Sequence, residues 1–208
     1  MATKVWVMAN LKGGAGKTTT AVHLAVAAMM RGMRVAISDT DTKNNQQSAT
    51  EWAAIRGTNE PLVVPMDVID LKDAVGKAQE AGLDLLIVDT APNAGPDARD
   101  AIDCADLVII PVKPSWFDLT AVRHTVEIVR EVGKKAVIVM TEVDGRQKNN
   151  NSMVRDALLM TGIPVAETTI KDRVAYKNAI PRGLAVQEYE PRGDAAADIN
   201  SLIEELLK

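Results

Sequence analysis

Apolar residues recur along this chain on two different periods. Short runs rich in Val, Ile and Leu occupy residues 4–9, 34–38, 62–65, 83–88, 107–111 and 135–140, with a weaker run at 164–166. Near-continuous apolar runs of this length predict strands buried on both faces. Between them, apolar positions recur every three or four residues at 19–31, 70–81, 117–132, 152–161 and 194–208, which predicts amphipathic helices. Strands separated by helices predict an α/β fold, with a mostly parallel sheet covered by helices on both faces. No internal repeat and no linker rich in Gly, Ser or Pro breaks the pattern, so residues 1–208 are read as a single domain.

Composition narrows the function classes. A chain of 208 residues, 47% hydrophobic and 25% charged, can bury a sizeable core, and no window is apolar enough to span a bilayer. No basic region followed by an apolar core opens the sequence, so a cytoplasmic protein is expected. The single cysteine, Cys104, excludes a disulfide framework and any paired-cysteine metal site within one chain, and is read as a small buried filler. With a net charge of −4, nucleic-acid binding needs a local basic patch. Three Trp, two Tyr and one Phe leave little material for base stacking. His23 and His124 have no partner ligands at metal spacing and are read as ordinary surface or core residues.

The chemistry concentrates in residues 12–20, which read KGGAGKTTT between a strand pattern and a helix pattern. Gly13, Gly14, Ala15, Gly16, Lys17, Thr18 and Thr19 can turn backbone N–H groups around phosphate oxygens, and the helix N-terminus adds partial positive charge. Lys17 suits the terminal phosphates and the Thr18 hydroxyl a magnesium ion. This is a P-loop NTPase pattern with Leu11 where the strict form has glycine, and with a second lysine, Lys12, at its start. Two acidic strand ends follow. Asp39 and Asp41 lie just past a buried strand, on the sheet edge where open parallel sheets bind ligands, and are candidates for metal and water handling; the same residues also suit a turn or a helix N-cap. Asp89 ends the run LDLLIVD and can hold a magnesium-bound water.

The segment KGGAGKT, with its two lysines, resembles the deviant P-loop of the ParA/MinD ATPases. That resemblance implies that Lys12 reaches into the partner subunit's nucleotide, making ATP binding and homodimer formation one event. It also implies that Asp41, the second aspartate of a DxD pair, positions the hydrolytic water, so that Lys12, Lys17 and Asp41 form the catalytic set and Thr18, Asp41 and Asp89 the magnesium set. The chain departs from the family after Asp41: Thr42, Lys43, Asn44 and Asn45 precede Gln46 and Ser48, like a short insertion before the family's Gln-x-Ser. Thr90, Ala91 and Pro92 resemble the second switch, which senses the terminal phosphate. Residues 107–119, LVIIPVKPSWFDL, resemble a stretch that leads into an interface helix, in which Pro111 and Pro114 fix the loop. Trp116 and Phe117 are read as core residues in preference to a dimer plug.

Residues 168–191 resemble the C-terminal part of short ParA proteins. Between Lys171 and Gly183 stand four basic residues, Lys171, Arg173, Lys177 and Arg182, against one acid. A helix there puts Arg173 and Lys177 on one face at i, i+4. Charge alone suits a solvated helix face, whereas the resemblance implies nonspecific DNA binding through phosphates. With eleven residues before Lys12, no operator-binding domain is expected. The resemblance as a whole implies a cytoplasmic ATPase, nucleoid-associated when ATP-bound, whose release from DNA is stimulated by a ParB-like or cargo-adaptor protein. The cargo is plasmid or chromosome DNA, or alternatively a carboxysome or chemoreceptor array. A MinD-like membrane anchor is not expected, because residues 194–208 carry Asp194, Asp198, Glu204 and Glu205 against one lysine. An iron-sulfur relative needs more than Cys104, and a ligase of the dethiobiotin synthetase type is the enzyme alternative.

Overall fold

The computed structural model describes residues 2–42, 48–92 and 95–208. Six strands, β1 (Lys4–Met8), β2 (Val35–Asp39), β3 (Leu62–Pro65), β4 (Leu85–Asp89), β5 (Leu107–Val112) and β6 (Ala136–Met140), form one sheet in the order β3-β2-β4-β1-β5-β6. Every pairing is parallel. The helices are α1 (Lys17–Met29), α2 (Ser48–Arg56), α3 (Leu71–Glu80), α4 (Gly95–Asp103), α5 (Trp116–Val132), α6 (Lys148–Leu159), α7 (Val174–Ala179), α8 (Val186–Tyr189) and α9 (Asp194–Leu206), with 3-10 turns at Val68–Asp70 and Ile180–Arg182. The expected P-loop NTPase architecture is present.

Alternation along β1 sets the two cores. Trp6 and Met8 face a cluster built with α1 and α9, while Val5 and Val7 face one built with α4, α5 and α6. Register then assembles the ligand edge: Met8 and Asp39 both pair with Asp89, so the strand end before the glycine loop and two acidic strand ends stand side by side. Among the described residues no helix is long and apolar enough to cross a membrane.

Several sequence expectations are corrected. Residues 164–166 form no strand; Val165 makes only an isolated bridge to Ile138 at the sheet edge. Helices α2 and α4 were not expected: α2 buries only Ala49 and Trp52, and α4 buries a short stripe of Ala98, Ala101 and Ile102 in which two of three residues are alanine. Trp116 and Phe117 are not core residues but 76% and 78% exposed, because the face α5 buries runs through Asp118, Val122, Thr125, Val126 and Val129 and leaves them off it. Arg173 is not helical: it precedes α7 in an extended conformation, so the expected i, i+4 face with Lys177 does not form. Cys104 is half-buried, its thiol directed at the Asp100 carbonyl. The residues Lys43, Asn44, Asn45 and Gln46 of the inserted loop lie outside the described residues.

Candidate functional site

The turn from β1 into α1 is held by the sheet edge. Asn10 donates to the Pro111 carbonyl at 2.7 Å and accepts from the Lys12 amide at 2.9 Å, tying the start of the loop to the end of β5. The Thr141 hydroxyl donates to the Ala15 carbonyl at 3.0 Å, tying its end to β6. Gly16 sits at φ +91°, a left-handed conformation that disfavours any side chain, and serves as N-cap of α1 without a side-chain cap. The first amides of α1 therefore face outward with no intrahelical acceptor, the geometry that favours an anion.

Lys17 is nearly buried, at 7% exposure, and donates to the carbonyls of Asn10 at 3.0 Å and Lys12 at 3.4 Å. Burial pushes its ammonium pKa down, against the opposing pull of Asp89 and Asp41. Gly13, Gly14, Gly16, Lys17, Thr18 and Asp41 line a chamber of about 430 Å³, closed on another side by Trp52, Thr90 and Pro92. This is the place sequence assigned to phosphates. Asp89 stands behind it, fully buried, with Oδ1 lacking a hydrogen-bond partner among the described residues. Burial pushes its carboxyl up to about 7, Asp39 and Asp41 add to that, and the Thr18 hydroxyl and Lys17 oppose it.

The two aspartates at the end of β2 separate by role. Asp39 accepts from the Thr50 amide and hydroxyl, both at 2.9 Å, and so anchors the first turn of α2. Asp41, 8% exposed, lines the phosphate chamber instead. The side chains here that could hold a metal are the Thr18 hydroxyl and the carboxylates of Asp41 and Asp89. Hard oxygen donors and an orphaned buried carboxylate oxygen fit magnesium. No three His, Cys, Asp or Glu side chains cluster as a metal cage among the described residues, so such an ion would need nucleotide and water oxygens to complete its shell.

Lys12 takes a different position from Lys17. Its ammonium lies 2.6 Å from Oδ2 of Asp118, a nearly buried carboxylate on α5 that also receives a hydrogen bond from the Ser115 hydroxyl. Lys12 is not part of the phosphate chamber wall.

A second chamber of about 350 Å³ continues from the first and shares Gly16, Thr19, Glu142 and Ile180 with it. Its far wall holds Tyr176 and Pro181, which no local pattern had marked. Three of the four basic residues assigned to DNA, Lys171, Arg173 and Lys177, also line it. Arg173 is bound by Asp194 at 2.8 Å and Asp198 at 2.9 Å, and Lys177 by Asp172 at 3.1 Å. Arg182 is exposed, lies over the Tyr189 ring and donates to the Asn178 carbonyl. The local positive charge seen in sequence is partly neutralised by α9. His124 is exposed beside Glu127, and His23 is buried in α1.

Comparison with known proteins agrees with this geometry. The family model "CobQ/CobB/MinD/ParA nucleotide binding domain" matches residues 6–186. The chain is 30% identical to "Maintenance of carboxysome distribution protein A" of Halothiobacillus neapolitanus, over 96% of this chain and 94% of that one. It is 28% identical to "Chromosome-partitioning ATPase Soj" of Thermus thermophilus, again over 96% and 94%. A variant of Cyanothece McdA in complex with ATP superposes with a TM-score of 0.78 over 99% of this chain and 96% of that one, at 19% identity, a likeness of fold. With a family model matching residues 6–186 and a 30% identical relative covered over 94% of its length, the chain belongs to the CobQ/CobB/MinD/ParA family of nucleotide-binding domains.

Proposed function

We propose that this protein is an ATP-driven positioning ATPase that works as a nucleotide-linked homodimer. The observation that carries the proposal is the division of labour between its two loop lysines. Lys17 lines its own phosphate chamber, whereas Lys12 is bound by Asp118, is not part of that chamber's lining and is available to another one. On this reading ATP occupies the two joined chambers, and Gly13 to Thr19 bind its phosphates. Magnesium held by Thr18, Asp41 and Asp89 would neutralise phosphate charge. Lys12 leaves Asp118 for the phosphates of the second copy, and Asp41 orients the attacking water.

The ATP-bound dimer associates with DNA without sequence preference. Lys171 and Arg182 are exposed and, among the described residues, bound to no carboxylate, so they carry this contact together with Lys177, while Arg173 serves the fold. An adaptor on the cargo stimulates hydrolysis and releases the subunits; it is ParB-like if the cargo is DNA. The similarity to carboxysome distribution proteins favours a protein assembly as cargo over plasmid or chromosome DNA. The protein would act in the cytoplasm, on the nucleoid while ATP is bound.

The test is sedimentation and binding to random-sequence duplex DNA with ATP, with ADP and without nucleotide, at fixed salt. Wild type is compared with Lys12→Gln, which keeps a donor for Asp118. ATP-dependent dimers that bind DNA, both lost in the variant, are expected. ATP binding with neither dimer nor DNA association would overturn the positioning mechanism.

A further inference from the structure

The junction between the two chambers carries a residue that neither the loop motif nor the catalytic set uses. Glu142 directly follows the end of β6 and Thr141, whose hydroxyl holds the glycine loop. Among the described residues it is the one non-glycine with positive φ, at 50°. Non-glycine side chains avoid this region, and residues held there concentrate at ligand sites. The side chain is half-exposed, and the residue borders both chambers.

A carboxylate beside a phosphate chamber repels an anionic ligand unless it is neutralised. Lys113 does this: its ammonium lies 2.8 Å from Oε1 of Glu142, and it lines the phosphate chamber as well. Oε2 receives no hydrogen bond from the described residues, so the pair presents a fixed and neutralised acceptor. In any nucleoside triphosphate the sugar lies between phosphates and base. With phosphates in the first chamber and the base in the second, the sugar occupies the junction.

We propose that Glu142, held by Lys113, accepts hydrogen bonds from the ribose hydroxyls and makes the site select ribonucleotides over deoxyribonucleotides. The inference rests on the nucleotide reading given above and extends it to the sugar. A hydroxyl bound to a charged acceptor contributes enough for roughly tenfold discrimination or more.

Calorimetric binding of ATP, 2′-deoxyATP and 3′-deoxyATP in the presence of magnesium tests it, with wild type, Glu142→Gln and Glu142→Gly. Glycine accepts the positive φ without strain, so the second variant removes the carboxylate while keeping the backbone. Wild type is expected to bind ATP about tenfold more tightly than at least one deoxy form. Glu142→Gln should retain part of that preference and Glu142→Gly should lose it. Equal binding of all three nucleotides by wild type, or an undiminished preference in Glu142→Gly, overturns the sugar assignment and leaves the nucleotide site standing. Binding of none of the three by wild type overturns both.

Discussion

Gly183→Ala should be far more damaging than a surface glycine substitution ought to be. Gly183 follows the 3-10 turn Ile180–Arg182 with φ +66°, and a Cβ built there would lie 2.4 Å from both the N and the Cα of Arg56. Left-handed backbone alone costs an alanine about 1 kcal/mol. Removing the overlap requires α2 to retreat by roughly 1 Å, since carbon contacts lie near 3.5 Å. That retreat strains a partly buried cluster: Arg56 makes a two-pronged contact with Glu188 at 2.6 and 2.7 Å, donates to the Gly183 carbonyl at 3.0 Å and lies over the Trp52 ring. Breaking such a pair costs about 3 kcal/mol, so the total is about 3–4 kcal/mol. Gly133→Ala is the control, because Gly133 has φ +73° with nothing within 4 Å and should lose only about 1 kcal/mol. Urea unfolding of both variants separates the two costs as a difference in midpoint. Equal losses would refute the steric argument. Since Trp52 lines the phosphate chamber, Gly183→Ala should also weaken nucleotide binding, whereas Gly133→Ala should not.

Three further outcomes follow from buried charge. His23 is fully buried, its pKa pushed from 6.5 down to about 3, and its Nδ1 accepts from the Val186 amide, so it stays neutral in the fold. The unfolded chain takes up a proton below 6.5 and the fold does not, so stability falls by about 1.4 kcal/mol per pH unit as pH drops toward 3; His23→Leu should flatten that part of the urea-midpoint profile. Asp89 has the opposite sign: its folded value, near 7 against 3.8, means stability is lost as pH rises between them. Without nucleotide, Asp89→Asn should therefore be more stable than wild type at pH 8, by roughly 2–4 kcal/mol, with the gap closing toward pH 4, while magnesium-dependent nucleotide binding is lost. Arg173→Ala should cost about 1–2 kcal/mol in thermal unfolding by releasing Asp194 and Asp198. Lys171→Ala, at an exposed site, should leave stability within about 0.5 kcal/mol yet lower the salt slope of DNA binding by about one; the reverse ranking would return Arg173 to the DNA surface.

Much of the fold was legible because its signals are local. The run at 107–111 became β5 almost without change, since a strand buried on both faces must be apolar at every position; the run at 62–65 became β3, an edge strand that stays largely exposed and was legible by its β-branched residues instead. The helix period over 117–132 became α5 within a residue, closed by Gly133 in a left-handed C-cap. Helix α2 escaped notice because its role is to carry Trp52, Arg56 and the Asp39 contact rather than to bury a full apolar stripe.

The phosphate loop was determined by sequence alone, because its chemistry resides in backbone amides and in residues within nine positions of one another. Both loop lysines had expected roles, Lys17 from its place in the loop and Lys12 from the family resemblance, but the contact that holds Lys12 was not legible. Lys12 is set apart by Asp118, 106 residues away, and Asp41 is set apart from Asp39 only by where α2 begins. The basic stretch around Arg173 read as free positive charge because the carboxylates that bind Arg173 arrive from α9. Trp116 and Phe117 read as core because their size favours burial, whereas the fold leaves both exposed at the start of α5. Local patterning fixes what each segment can become, since propensity and periodicity act over a few residues. Partners, exposure and charge balance come from distant segments, and only packing brings those together.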